Sequence, residues 1–155
     1  MSASDTIFNR MAWLCSRREY CSRGILDLLR RKGVDGADAT AVLDRLRAEG
    51  YVDDARYARA FARDKALLSG WGPRKIACAL ASKEIPPDTV RSALGEVEEA
   101  GSARRMREVV LGKWKSVRAA SPAERRAKVL RFALSRGYGY AAVSEVLSSL
   151  ENPEE

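Results

Sequence analysis

The sequence predicts an all-α protein: three tandem three-helix repeats forming an elongated, curved body. Two observations carry that expectation. The segments from Arg23 to Leu46, Arg74 to Val97 and Ala127 to Leu150 are weakly similar, offset by 51 and then 53 residues. Within them Ile25, Ile76 and Val129 fall in one column, Val34, Ile85 and Tyr138 in a second, and Val42, Ala93 and Val146 in a third. A period near fifty that keeps three apolar columns in register marks one small helical unit copied in tandem. Apolar residues also recur at helical spacing along the whole chain, and no alternating strand pattern interrupts them. The repeats divide as residues 1–50, 51–99 and 100–150, followed by an acidic tail at 151–155 that is expected to fray.

In the first repeat Ile7, Phe8, Met11, Leu14 and Cys15 mark a helix from about residue 5 to 17. Ile25, Leu26, Leu28 and Leu29 mark the second, stopped near Gly33, and Val42, Leu43 and Leu46 the third, stopped at Gly50. A glycine at either stop suits a left-handed C-terminal cap, where a side chain would clash. In the second repeat Asp53 is placed to cap a helix carrying Tyr57, Ala58, Phe61, Ala62 and Leu68, which ends around Ser69-Gly70. Val52 and Tyr57 are spaced for a hydrophobic staple across that cap. Pro73 suits the first turn of the next helix, whose inward stripe is Ile76, Ala79 and Leu80. Pro86 and Pro87 break it and lead into Val90, Ala93, Leu94 and Val97.

The third repeat opens with a long helix from about Gly101 to Val117, with Met106, Val110, Trp114 and Val117 on one side. Ser121-Pro122-Ala123-Glu124 reads as a capping box, a serine three residues before a glutamate. Val129, Leu130, Ala133 and Leu134 are expected to face inward up to Gly137, and Ala142, Val143, Val146, Leu147 and Leu150 form the last stripe. Linkers are short, so the repeats should be docked, with limited hinge freedom near Gly70 and Gly101.

A unit of about 50 residues buries too little apolar surface to stand alone, so adjacent repeats are expected to lean on each other. With 46% hydrophobic and 32% charged residues, the chain reads as folded rather than disordered. No apolar run approaches the ~20 residues of a membrane span. The opening MSASDTIFNR lacks the basic end and apolar stretch of a secretory signal. A cytoplasmic monomer without membrane contact is the expectation. Cys15, Cys21 and Cys78 fit no zinc spacing and read as small buried or half-buried helix residues. Histidine, the commonest general base and a frequent metal ligand, does not occur. No metal, no cofactor and no enzymatic activity are expected.

The formal charge of +7 is unevenly spread: +2 over residues 1–50, zero over 51–99, +8 over 100–150 and −3 over the last five residues. The third repeat carries Arg104, Arg105, Arg107, Lys113, Lys115 and Arg118 on its first helix, with Arg125, Lys128 and Arg131 as a stripe down its second. Only Glu108, Glu124 and Glu145 offset them, an imbalance that points to a polyanion or an acidic protein face. Without a recognisable reading helix for the major groove, such contact would go to phosphates, independent of sequence. Trp13, Trp71 and Trp114 could stack on unpaired bases. Trp114 lies on an apolar stripe and reads as core, whereas Trp71, in a glycine-flanked turn, is the better candidate for an exposed contact.

The most distinctive stretch is GYVDDARYARAF, Gly50 to Phe61. Asp53 and Asp54 raise a metal nuclease as the enzymatic reading, but a nuclease needs further carboxylates to organise its metal. Capping by one and a favourable place at the helix's positive end for the other is the expected use. Through Gly50, Tyr51, Val52, Asp53, Asp54, Arg56, Tyr57 and Ala58 the chain resembles the RecX regulatory proteins of bacteria. Gly70-Trp71-Gly72-Pro73-Arg74-Lys75-Ile76 and the junctions Gly33-Val34 and Gly137-Tyr138 extend the resemblance over nearly the whole chain. Two departures stand out. Cys21 occupies the place of a serine cap, with Gly24 and Ile25 at a Glu-Leu pair, so either Ser22 takes over the cap or the helix start is weak. The middle junction carries Glu84 where glycine is common.

The resemblance implies a regulator of the RecA recombinase that lies along the RecA filament on single-stranded DNA, inhibits ATPase and strand exchange and promotes filament loss. The implied partners are the RecA filament and single-stranded DNA, with duplex DNA open as a further ligand. Trp71, Arg74 and Lys75 are the residues expected to meet the filament. The alternative is a stand-alone, sequence-independent nucleic-acid-binding protein with no dedicated protein partner.

Overall fold

A computed structural model describes residues 2–153, and all regular structure among them is helical. Three helices build each unit. The first contains α1 (Ala3–Arg17), α2 (Ser22–Arg31) and α3 (Gly36–Ala48). The second contains α4 (Asp54–Arg63), prolonged by a π-turn at Asp64–Leu68, then α5 (Pro73–Ser82) and α6 (Pro87–Glu99). The third contains α7 (Ser102–Ser116), α8 (Pro122–Ser135) and α9 (Tyr140–Glu151).

The middle helix of each unit stops in the same way. Gly33, Glu84 and Gly137 take positive φ of 81°, 61° and 96°. The following residue then donates its N–H back to a carbonyl five residues earlier: Val34 to Leu29, Ile85 to Leu80 and Tyr138 to Ala133, at 2.9, 3.2 and 3.2 Å. This is the Schellman arrangement, and the apolar residue after the cap turns back onto the helix. The second sequence column is therefore a column of caps. Ile25, Ile76 and Val129 are buried, as are Val42, Ala93, Val146, Ile85 and Tyr138; Val34 is half-buried.

Three separate cores follow the chain order, one centred on Met11, Ile25, Leu29 and Leu46, one on Ile76 and Leu80, and one on Val110, Val129, Val143 and Leu147. Two residues cross between units. Val52 packs into the first core, while Tyr57 packs against the second, so the expected staple partners are divided between two cores. Cys21, from the first unit, is buried in the second core. It also caps α2 itself, its Sγ accepting from the Gly24 N–H at 3.4 Å, so Ser22 does not take over that role.

Local chemistry sets the other helix starts. Ser2 and Asp5 form a reciprocal capping box that begins α1 at Ala3, two residues before the start expected near residue 5. Ser121 caps α8 through the Glu124 N–H, but the Glu124 carboxylate reaches back to the Ala120 N–H rather than to Ser121. Leu68 and Leu134, expected inward, are 75% and 38% exposed. For Leu68 the cause is the π-turn, whose wider winding rotates the last residues off the stripe. Cys78 is exposed, contrary to expectation, and Cys15 is half-buried, which pushes its thiol pKa up. The acidic tail begins inside α9, where Glu151 pairs with Arg126 at 2.7 Å; Glu154 and Glu155 lie outside the described residues.

The joints between units differ. At the first, the Asp54 carboxylate accepts from the Ser22 N–H at 2.7 Å, Arg23 pairs with Glu84 at 2.5 Å, and Arg56 grips Glu19 through both Nε and Nη2. At the second, backbone meets backbone: Gly72 N–H donates to the Arg136 carbonyl at 2.7 Å and Arg74 N–H to the Gly137 carbonyl at 3.0 Å. The C-terminal end of α8 thus feeds its free carbonyls to the free N–H groups that open α5. A Cβ on Gly72 would overlap the Gly137 backbone, and one on Gly137 would lie 2.5 Å from Lys75 Cβ. Gly70 is likewise buried, with Val109 Cγ2 at 2.9 Å from where its Cβ would be. The expected hinge at Gly70 is a point of close packing instead.

Candidate nucleic-acid and partner interface

The nine basic residues singled out in the third unit do not share one surface. On α7, at 3.6 residues per turn, Arg104, Arg107 and Lys115 come to one side and are exposed. Arg118 and Arg131 are also exposed, and among the described residues none of these five has an ion-pair partner. Glu108 lies on α7 as well, and it is held by Arg105 at 3.3 Å. This outer face offers unpaired positive charge to solvent.

The other four are engaged internally. Arg125 donates through Nε and Nη2 to the Trp114 carbonyl at 3.0 and 2.6 Å, and its guanidinium lies 3.9 Å from the Trp114 ring centroid. It closes the C-terminal end of α7. Lys128 donates to the Arg118 carbonyl at 2.8 Å and pairs with Glu124 at 2.9 Å. That lysine, with the Ala120 N–H and more distantly Arg131, holds the Glu124 carboxyl below its ordinary value. Lys113 sits 5.0 Å over the Phe132 ring. Arg105 is half-buried against Gly70, and its Nε is buried without a partner.

Trp71, Arg74 and Lys75 come together at the second joint. Trp71 is half-buried rather than exposed: its ring meets Phe61 edge-on at 6.3 Å, and Lys65 and Lys75 ammonium groups lie 4.7 and 4.5 Å from it. Arg74 is exposed, with its backbone N–H tied to Gly137. Trp114 is half-buried beneath Arg125. The exposed tryptophan is Trp13, at 58%, with the Arg17 guanidinium 5.3 Å from its ring.

Sequence reasoning missed a basic stripe on α4. Arg56, Arg59 and Arg63 recur at helical spacing on its outer side, opposite buried Ala58 and Ala62. The zero net charge of residues 51–99 hid them, because the balancing carboxylates sit at the helix ends and on α6. A furrow of about 300 Å³ runs between α4 and α6, walled by these arginines and Glu96 over a floor of Ala60, Val97 and Ala100. Ala100 also lines an adjoining hollow of about 530 Å³ reached by Leu67, Arg104 and Arg105. A separate, mostly apolar recess of about 510 Å³ lies between the second and third units, lined by Trp71, Pro73, Leu94, Met106 and Tyr138 among others.

Asp53 and Asp54 are both accounted for structurally. Asp53 accepts from the Arg56 N–H at 3.0 Å, which lowers its pKa, and Asp54 accepts from Ser22. Among the described residues no helix is long and apolar enough to cross a membrane.

Serial three-helix units, backbone-locked at one joint and carrying a basic outer face, define a modular protein of tandem helical domains. Two family models match it: RecX, second three-helix domain, over residues 53–94, and RecX, third three-helix domain, over residues 104–147. The chain belongs to the RecX family. It is 32% identical over 143 residues to the regulatory protein RecX of Herminiimonas arsenicoxydans, covering 90% of this chain and 89% of the relative. It is 28% identical over 158 residues to that of Halorhodospira halophila, covering 99% and 94%. The fold matches a crystal structure of RecX from Lactobacillus salivarius with a TM-score of 0.84 at 17% identity, covering 96% of each chain. A second crystal structure of regulatory protein RecX matches with the same score over 92% of this chain and 70% of the other.

Proposed function

We propose that this protein regulates the RecA recombinase in the cytoplasm: it binds the RecA filament on single-stranded DNA, restrains ATP hydrolysis and strand exchange, and promotes filament loss. The observation that carries the reading is family membership along 90% of the chain, among relatives named regulatory proteins. The geometry supports a division of labour. Units held in series can reach neighbouring subunits of a polymer, and several weak contacts then multiply. The unpaired cations of Arg107, Lys115 and Arg118 suit phosphates without reading bases.

The test is RecA ATPase on single-stranded DNA, titrated with this protein far below the amount that coats the DNA. Inhibition at that stoichiometry is the expected result. Inhibition only once the DNA is coated would replace the regulator with a stand-alone nucleic-acid-binding protein. In parallel, changing Arg107, Lys115 and Arg118 to glutamine should flatten the salt dependence of binding to bare single strands. Three lost phosphate contacts lower the slope of log affinity against log salt by about 2.

A further inference from the structure

The α4–α6 furrow and the outer face of α7 are both lined with arginine, yet their chemistry differs. The exposed cations of α7 stand on an open helix side, whereas the furrow's arginines stand beside apolar ground. Glu96 stands 3.9 Å from Arg59, and Arg56 is already gripped by Glu19. Two of the furrow's three arginines are thus engaged, which leaves it short of the run of open cations that a phosphate strand uses. The furrow also has an apolar floor of Ala60, Val97 and Ala100, which phosphates do not use. Arg63 is exposed and has no ion-pair partner among the described residues, so one strong donor is left open on the wall. An Arg fork suits a carboxylate in two-point contact. At ~30 Å³ per water, the furrow holds about ten waters, the room of a few side chains.

We propose that this furrow is a protein-docking site for a short acidic peptide segment of the filament protein, with a carboxylate on Arg63 and small apolar side chains on the Ala60–Val97–Ala100 floor. Phosphates go to the outer face of α7. The assignment rests on the filament reading above and adds where the protein half of the filament is held.

The test uses the full chain and two probes, RecA filaments on single-stranded DNA and the bare oligonucleotide. Arg63→Glu reverses the open charge, and Ala60→Gln fills the floor without changing charge. Both sites are exposed on α4 and accept helix-forming residues, and circular dichroism melting confirms that each variant folds. The expected result is about a tenfold loss of filament binding in each variant, bare-DNA affinity within twofold of the parent, and substantial recovery with Arg63→Lys. Unchanged filament binding in both variants overturns the proposal. Equal loss on bare DNA also overturns it and makes the furrow a phosphate site. If the parent chain binds filaments no better than bare DNA, the regulatory reading and the furrow's occupant fall together, a failure seen before any variant is compared.

Discussion

Asp53 and Asp54 are neighbours with separate duties. Asp53 closes the open end of α4, and its pKa is lowered first by the hydrogen bond from the Arg56 N–H. A carboxyl whose pKa is lower folded than unfolded stabilises the fold above its unfolded value, and that contribution fades as the pH falls through the folded one. Asp53→Ala should therefore cost about 1 kcal/mol at neutral pH. The gap from the parent should narrow in urea titrations once the pH drops below 3.8, the ordinary aspartate value. Asp54→Ala leaves the Ser22 N–H without its partner across the first joint and should cost about 1.5 kcal/mol. Glu84 poses the opposite case. It is a non-glycine residue at φ 61°, and an L-residue in that region carries a penalty of roughly 1 kcal/mol. Its bond to Arg23 is exposed on both sides and offsets little of that. Glu84→Gly is expected to raise Tm by about 2 °C in a thermal melt. The sequence had exposed this position, since a glutamate stood where the neighbouring repeats have glycine. It concealed the sulfur cap at Cys21, because cysteine is a rare stand-in for serine.

The α8-to-α5 contact decides the second joint at the scale of elements. Neither Gly72 nor Gly137 can take a Cβ without moving backbone, and Gly137 also needs its φ of 96°. Gly72→Ala and Gly137→Ala should each destabilise by more than about 2 kcal/mol, beyond the ~1 kcal/mol that conformation alone would cost Gly137→Ala. Leu80→Ala, by comparison, empties a fully buried site in the second core and should cost about 2–5 kcal/mol. Calorimetry separates the two effects, because the glycine variants loosen the third unit from the second whereas the leucine variant melts the second itself. Helix existence and the inward stripes were legible from periodicity, as Ile76 and Leu80 show. The π-turn was not, since five residues with no Gly or Pro gave no sign of wider winding, and Leu68 was assigned to the wrong side in consequence. Nor could spacing along one chain reveal that Arg125 would turn inward to the Trp114 carbonyl. That use depends on how α7 and α8 cross.

For the whole molecule, burial is divided into three cores, with Val52 and Cys21 each lent to a neighbouring unit's surroundings. Because the polar contacts of the first joint run through charged side chains and those of the second through peptide groups, ionic strength acts on them unequally. Salt weakens exposed ion pairs as the Debye length falls from about 8 Å at physiological ionic strength to about 3 Å at 1 M, and leaves buried peptide hydrogen bonds untouched. Small-angle scattering from 50 mM to 1 M salt should show a growing spread of distances, and Arg56→Gln should produce the same spread at low salt. A melt in which the first unit alone unfolds earlier at high salt would accompany it. The two glycines thus make the distal pair of units a single stiff jaw, while the proximal unit is a thumb whose grip the surrounding electrolyte can slacken.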